Sequence, residues 1–157
     1  MTRAEAEAII RNYQHRAPVD VMAIARDLGI SVWTSFDLPH GVSGKLFRDP
    51  RHGGQSGYSI VVNSSDAPVR QRFTAAHEIA HFILHRDQFG SELVDDAMYR
   101  SGLSNAQEAQ ANRMAADILM PVPLMSELAK NGICSSERLA HVLQVSNQAI
   151  KIRLGIE

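Results

Sequence analysis

His77-Glu78-Ile79-Ala80-His81 places two imidazoles and a carboxylate where they could hold and use a metal ion. On a helix, an advance of four residues is about 6 Å of rise and roughly 40° of rotation, so both imidazoles leave one face. Two ring nitrogens can then approach one ion at about 2.0–2.1 Å. Glu78 stands about 100° around the helix from His77, flanking the ion rather than binding it, where it can take a proton from a polarised water. Such a pentapeptide arises by chance in on the order of one chain in a few hundred, so its flanks must decide.

The flanks predict a helix. Ser65 or Asp66 is placed to cap it, Pro68 suits its first turn, and Phe73, Ala76, Ala80, Ile83 and Leu84 recur at helical spacing. A catalytic zinc takes three protein ligands and keeps one position open, and three downstream residues compete for the third place. His85 continues the face but lies two turns beyond His77, which suits a packed or hydrogen-bonded partner better. Asp87 falls where a metzincin keeps its last ligand, but that arrangement needs a glycine where this chain has Leu84. Glu108 is best placed. Ser104 to Gln107 reads as a capping box, and Ala111, Met114, Ala115, Ile118 and Leu119 form the apolar face of a second helix. Asn112, one turn beyond Glu108, is positioned for a supporting hydrogen bond.

Arg70 to His85 resembles the signature of the ImmA/IrrE metallopeptidases. So does Glu108 to Pro121, with its Glu-x-x-x-Asn and Leu-Met-Pro, and so do Pro18-Val19-Asp20, Leu28-Gly29-Ile30 and Gly41-Val42-Ser43-Gly44. One departure is Met114, where the family more often has Phe. The resemblance covers residues 18 to 123 and implies a zincin-like fold. It also implies zinc held by His77, His81 and Glu108, with Glu78 as base, and Mn2+ or another divalent cation as a substitute. The implied activity is a zinc endopeptidase of the gluzincin type that cuts a helix-turn-helix repressor of the Xre type, releasing mobile-element or stress genes. An oxyanion partner is also needed, with Tyr99, His85 or a backbone N–H as candidates.

The elements that must position these groups give an α+β order. Ala4 to Arg16 and Asp20 to Leu28 read as helices, and Ile30 to Phe36, Val42 to Arg48 and Tyr58 to Asn63 as strands of a small antiparallel or mixed sheet. Val42 to Arg48 is the expected edge along which an extended substrate would lie. Asp49 to Gly57 reads as a flexible hairpin connection with a solvated His52. Residues 1–123 then form the peptidase domain, and 124–157 a small helical appendage. In it Leu124 to Lys130, Ser136 to Leu143 and Asn147 to Leu154 are helices, the last two joined by a tight turn like a helix-turn-helix with Ser146 as cap.

Composition bounds the alternatives. The chain has 157 residues, 45% apolar and 21% charged, with a net charge of −1, which is one domain's worth of core without a global pull toward nucleic acid or anionic membrane. The sensory domain that some relatives carry is not expected within a chain of this length. DNA binding would need several phosphate contacts, and the last helix offers Lys151 and Arg153 alone. No apolar run spans a membrane, the acidic N-terminus does not resemble a signal peptide, and a lone Cys134 forms no internal disulfide, so the expected setting is the cytoplasm. Cys134 is expected to be a buried structural thiol. Two other classes compete: a non-cleaving module that holds zinc and sequesters a repressor or toxin, and a DNA-binding regulator acting through the tail helices. Glu78 argues against the first, since a purely structural site has no use for a base.

Overall fold

A computed structural model describes residues 1–156, so only the last residue of the 124–157 region lies outside it. Helix α1 (Arg3–Arg11) starts at a capping box between Thr2 and Glu5. It ends five residues before the expected Arg16, as Asn12, a weak helix former, takes the C-cap. Asp20 caps α2 (Val21–Asp27) through the N–H of Ala23. Strands β1 (Ile30–Ser35), β2 (Val42–Arg48) and β3 (Tyr58–Asn63) follow, and then the long helix α3 (Pro68–His85). Neither Ser65 nor Asp66 caps α3. Pro68 occupies its first position, so Ala67 becomes an N-cap without a side-chain bond, held extended by the following proline.

A single 3-10 turn, Arg86–Gln88, leads to a strand that the sequence reading missed, β4 (Glu92–Asp96). Its acidic stretch turns Leu93 and Asp95 inward and Glu92 and Val94 outward. Helix α4 (Asn105–Leu119) opens on the expected capping box of Ser104 and Gln107. Helices α5 (Val122–Lys130), α6 (Ser136–Leu143) and α7 (Asn147–Leu154) complete the chain. Helix α5 begins before the expected Leu124, because a proline in the first turn forfeits no helical hydrogen bond.

The four strands form one mixed sheet in the order β1-β3-β2-β4, with β1 parallel to β3 and the other pairs antiparallel. Val42 to Arg48 is therefore an interior strand and not the free edge: Leu46 faces Ile60 on one side and Leu93 on the other. The β2–β3 connection is also tied down, by Asp49 N–H to the Gly57 carbonyl (2.7 Å), Ser59 Oγ to Asp49 Oδ2 (2.8 Å) and Ser56 Oγ to the Gly29 carbonyl (2.6 Å). His52 is exposed within it.

One apolar cluster joins the layers. Leu46, Ile60 and Val62 of the sheet, Ala75, Ala76, Ile79 and Ala80 of α3, and Ala115, Ile118 and Leu119 of α4 are all buried in it. Leu124, Leu139, Leu143 and Ile150 of the three tail helices belong to the same cluster. Arg72 of α3 straps the tail by donating to the carbonyls of Gln144 (3.2 Å) and Val19 (2.8 Å). Cys134 is exposed, contrary to expectation, because it lies in the turn between α5 and α6 rather than on a packed helix face. Among the described residues, no helix is long and apolar enough to cross a membrane.

Gly44 sets how closely the sheet approaches α3. A Cβ there would lie 2.5 Å from Thr74 Cγ2 and 2.9 Å from the Val61 carbonyl oxygen, beside Glu78. Gly44→Ala is therefore expected to destabilise the fold by about 1–3 kcal/mol through overpacking. A denaturant melt measures this, and an unchanged midpoint would mean that the Thr74 side chain yields at no cost.

Candidate metal centre

Helix α3 brings His77 and His81 onto one face, and α4 brings Glu108 up to meet them. All four residues of the set His77, Glu78, His81 and Glu108 are buried. His77 Nε2 and His81 Nε2 are 3.0 Å apart, and Glu108 Oε1 lies 3.1 Å from the first and 3.0 Å from the second. Three lone-pair atoms so close and so buried repel one another unless protons or a cation lie between them.

Their outer faces are organised unequally. His81 Nδ1 is 3.0 Å from His85 Nδ1, and His85 Nε2 is 3.0 Å from Gln110 Oε1. With the His81 Nε2 lone pair turned to the centre, Nδ1–H donates to His85, whose own Nε2–H donates to Gln110, a chain that fixes both tautomers. Burial lowers the His85 pKa, which keeps that imidazole neutral and able to accept. His77 Nδ1 has no partner among the described residues. Instead its ring lies 4.8 Å from that of Tyr99, whose hydroxyl is 3.1 Å from Thr74 Oγ1.

Ser101 Oγ donates to Glu108 Oε2 at 2.5 Å, the supporting bond that Asn112 was expected to supply. Asn112 Oδ1 has no partner among the described residues. Asp87 is exposed on the turn after α3, away from the group. The sequence reading also missed Asp95 of β4. It is buried, with its carboxylate 3.4 Å from His77 Nε2 and 3.7 Å from His81 Nε2. His77, His81, Asp95 and Glu108 each offer a ligand atom, and these atoms lie within 4.8 Å of one another. No spacing rule links Asp95 to the helical motif. The available signal was the alternation of Leu93 and Asp95, which turns both residues to one face.

Electrostatics favour positive charge at the centre. Burial opposes a charge on His81, yet Asp95 and Glu108 hold its pKa above the ordinary imidazole value. Burial also works against ionised Glu108, but His77, His81 and Ser101 pull its pKa down. Glu78 belongs outside the donor set: neither carboxylate oxygen has a hydrogen-bond partner among the described residues. Burial, followed by the adjacent Asp95 and the charge on Glu108, raises its pKa well above the carboxylate norm. Converging lone pairs, orphaned buried oxygens and a mixed imidazole–carboxylate donor set fit a divalent metal ion.

Residues 25–155 match the Peptidase M78 family, described as the IrrE N-terminal-like domain. The radiation response metalloprotease IrrE of Deinococcus radiodurans is 41% identical over 80 residues, which is 51% of this chain and 23% of that protein. Its namesake from Deinococcus deserti is 30% identical over 119 residues, covering 72% of this chain and 42% of that protein. The chain thus spans less than half the length of either relative. A solved structure of a Mycobacterium tuberculosis transcriptional regulator shares the fold over 98% of this chain and 46% of its own, with a TM-score of 0.65 at 18% identity. With a family match running from α2 into the last helix, over a fold that gathers a buried set of metal-ligating side chains, the chain belongs to the IrrE N-terminal-like domain family.

Proposed function

We propose that this protein is a zinc-dependent endopeptidase. The observation that carries the proposal is the buried triangle of His77 Nε2, His81 Nε2 and Glu108 Oε1, with sides of 3.0–3.1 Å, beside the unpartnered carboxyl of Glu78. Zinc suits two imidazoles and a carboxylate, and Mn2+ or another divalent ion is the alternative occupant. When bound, the metal supplies Lewis acidity that polarises a scissile carbonyl and acidifies water.

The chain's own groups do the rest. Glu78 takes the proton of the attacking water and returns it to the leaving amine. The chain from His81 through His85 to Gln110 keeps the His81 ring from rotating, and Ser101 fixes Glu108. Tyr99 is the side-chain candidate for oxyanion donor, once its hydroxyl leaves Thr74. Since β2 is paired on both sides, an extended substrate would add along β4, the edge strand beside the histidines.

The substrate we infer is a helix-turn-helix repressor of the Xre type in the cytoplasm, by analogy with the family's expected targets. Direct DNA binding through the tail has less support. Arg153 is committed to Asp117 Oδ1 (2.8 Å) and the Met120 carbonyl (3.0 Å). Ile152, Leu154 and Ile156 are the exposed apolar residues at the end of the chain, where a phosphate-binding surface would need cations.

The test is metal analysis of the purified chain, followed by incubation with the repressor encoded beside it. One zinc per chain and a single chelator-sensitive cut are expected. A loaded protein that leaves the repressor intact but binds it tightly would instead establish a sequestering module.

A further inference from the structure

Asp95 does more than sit near the metal centre. It projects from the inward face of β4 and is 0% exposed, and neither of its oxygens has a hydrogen-bond partner among the described residues. A buried carboxylate in that condition needs a cation. The nearby guanidinium groups are engaged elsewhere: Arg70 with Asp66 (3.6 Å) and the Ala97 carbonyl, and Arg100 with Asp96 (3.1 Å). Three carboxyls, those of Glu78, Asp95 and Glu108, share one buried space, where the imidazoles of His77 and His81 face Asp95 and Glu108.

The four donor atoms lie within 4.8 Å of one another, so Asp95 stands within reach of the same ion. Ligand atoms at about 2.0–2.1 Å from a tetrahedral ion stand about 3.3–3.4 Å from one another. Asp95 Oδ1 lies 3.4 Å from His77 Nε2, and Oδ2 lies 3.7 Å from His81 Nε2. Building on the zinc peptidase reading above, we propose that Asp95 is a fourth protein ligand, which closes the resting metal centre and must be displaced before a substrate carbonyl can enter.

The segment that follows Asp95 is built as a cover. Ala97 N–H donates to the Gly41 carbonyl (2.9 Å), the Tyr99 ring lies on His77, and Ser101 holds Glu108. Tyr99 reaches His77 in a left-handed backbone conformation, φ 54°, which stores strain that release of the segment would relieve. Strand β4 pairs on one side only, through a register shift between Val42 and Gly44. A substrate strand adding to that edge acts on the element that carries the fourth ligand.

The full chain loaded with cobalt(II), whose visible spectrum reports ligand number, gives the test, with acetohydroxamate as an external ligand. The wild-type spectrum is expected to resist acetohydroxamate at concentrations that shift the spectrum of Asp95→Asn. The variant, which keeps the shape of the side chain, should also bind zinc at least about tenfold more weakly in chelator competition. Superimposable spectra with equal acetohydroxamate responses would overturn the fourth ligand and leave the peptidase reading intact, even if affinity fell, because an outer partner does not change ligand number. A wild-type protein that binds acetohydroxamate readily would do the same without recourse to any variant. Failure of both proteins to take up one metal per chain would remove the metallopeptidase reading itself, and Asp95's role with it.

Discussion

Glu78→Gln is expected to retain one metal per chain while lowering the cleavage rate by about 10²–10⁴-fold, the usual contribution of a general base. Glu78 lies outside the set of atoms that could hold the ion, so its loss leaves the ligands in place. Gln has the same shape but cannot accept the proton. The side chain is fully buried beside the donor set, with neither carboxyl oxygen bonded to another residue among those described, which leaves both free to meet a water. The substitution also exchanges a buried ionisable group for a neutral one, so folding should not suffer. Metal-to-protein ratio and a cleavage time course decide the matter, and wild-type turnover in the variant would place the base elsewhere.

His81→Ala should abolish both properties together. It removes one of three donor atoms in mutual contact at 3.0–3.1 Å, and it cuts the chain to His85 and Gln110. Loss of an outer partner alone costs about 10–100-fold in metal affinity, so loss of a direct ligand should exceed the upper end of that range. Chelator competition measures the affinity, and a circular dichroism spectrum separates metal loss from unfolding. Tight, stoichiometric metal in a folded His81→Ala protein would rule out the triangle as the binding site.

The metal helix could be read in the sequence because its signals are local. Four-residue spacing, a proline at the first turn and an apolar stripe all report on one helix, and α3 runs as those signals imply. The same holds for α4, whose capping box and apolar face place Glu108 in its first turn. Even so, that Glu108 reaches the histidines depends on α3 and α4 packing against each other, which no single-helix pattern specifies.

Strand pairing was harder to read. The limits of β2 and β3 followed from their residues, but the order β1-β3-β2-β4 did not, and with it the free edge was assigned to the wrong strand. Strand β4 escaped notice because three of its five residues, Glu92, Asp95 and Asp96, are acidic, and acidic residues disfavour strands in general. Asp95 is tolerated there by the imidazoles of His77 and His81 that face it, not by the strand itself. For the same reason Ser101 was missed as the partner of Glu108: its hydroxyl meets that carboxylate through the path of the chain after β4, not through helical spacing.

The strap from Arg72 to the Gln144 carbonyl has a broader consequence. It begins in α3 five residues before His77 and ends in the turn that joins the last two helices, which themselves lie in the common core. A change in the packing of the last two helices is therefore passed to the helix that carries His77 and His81. A loosened tail would loosen the seat of the two imidazoles as well, because both rest on one apolar cluster.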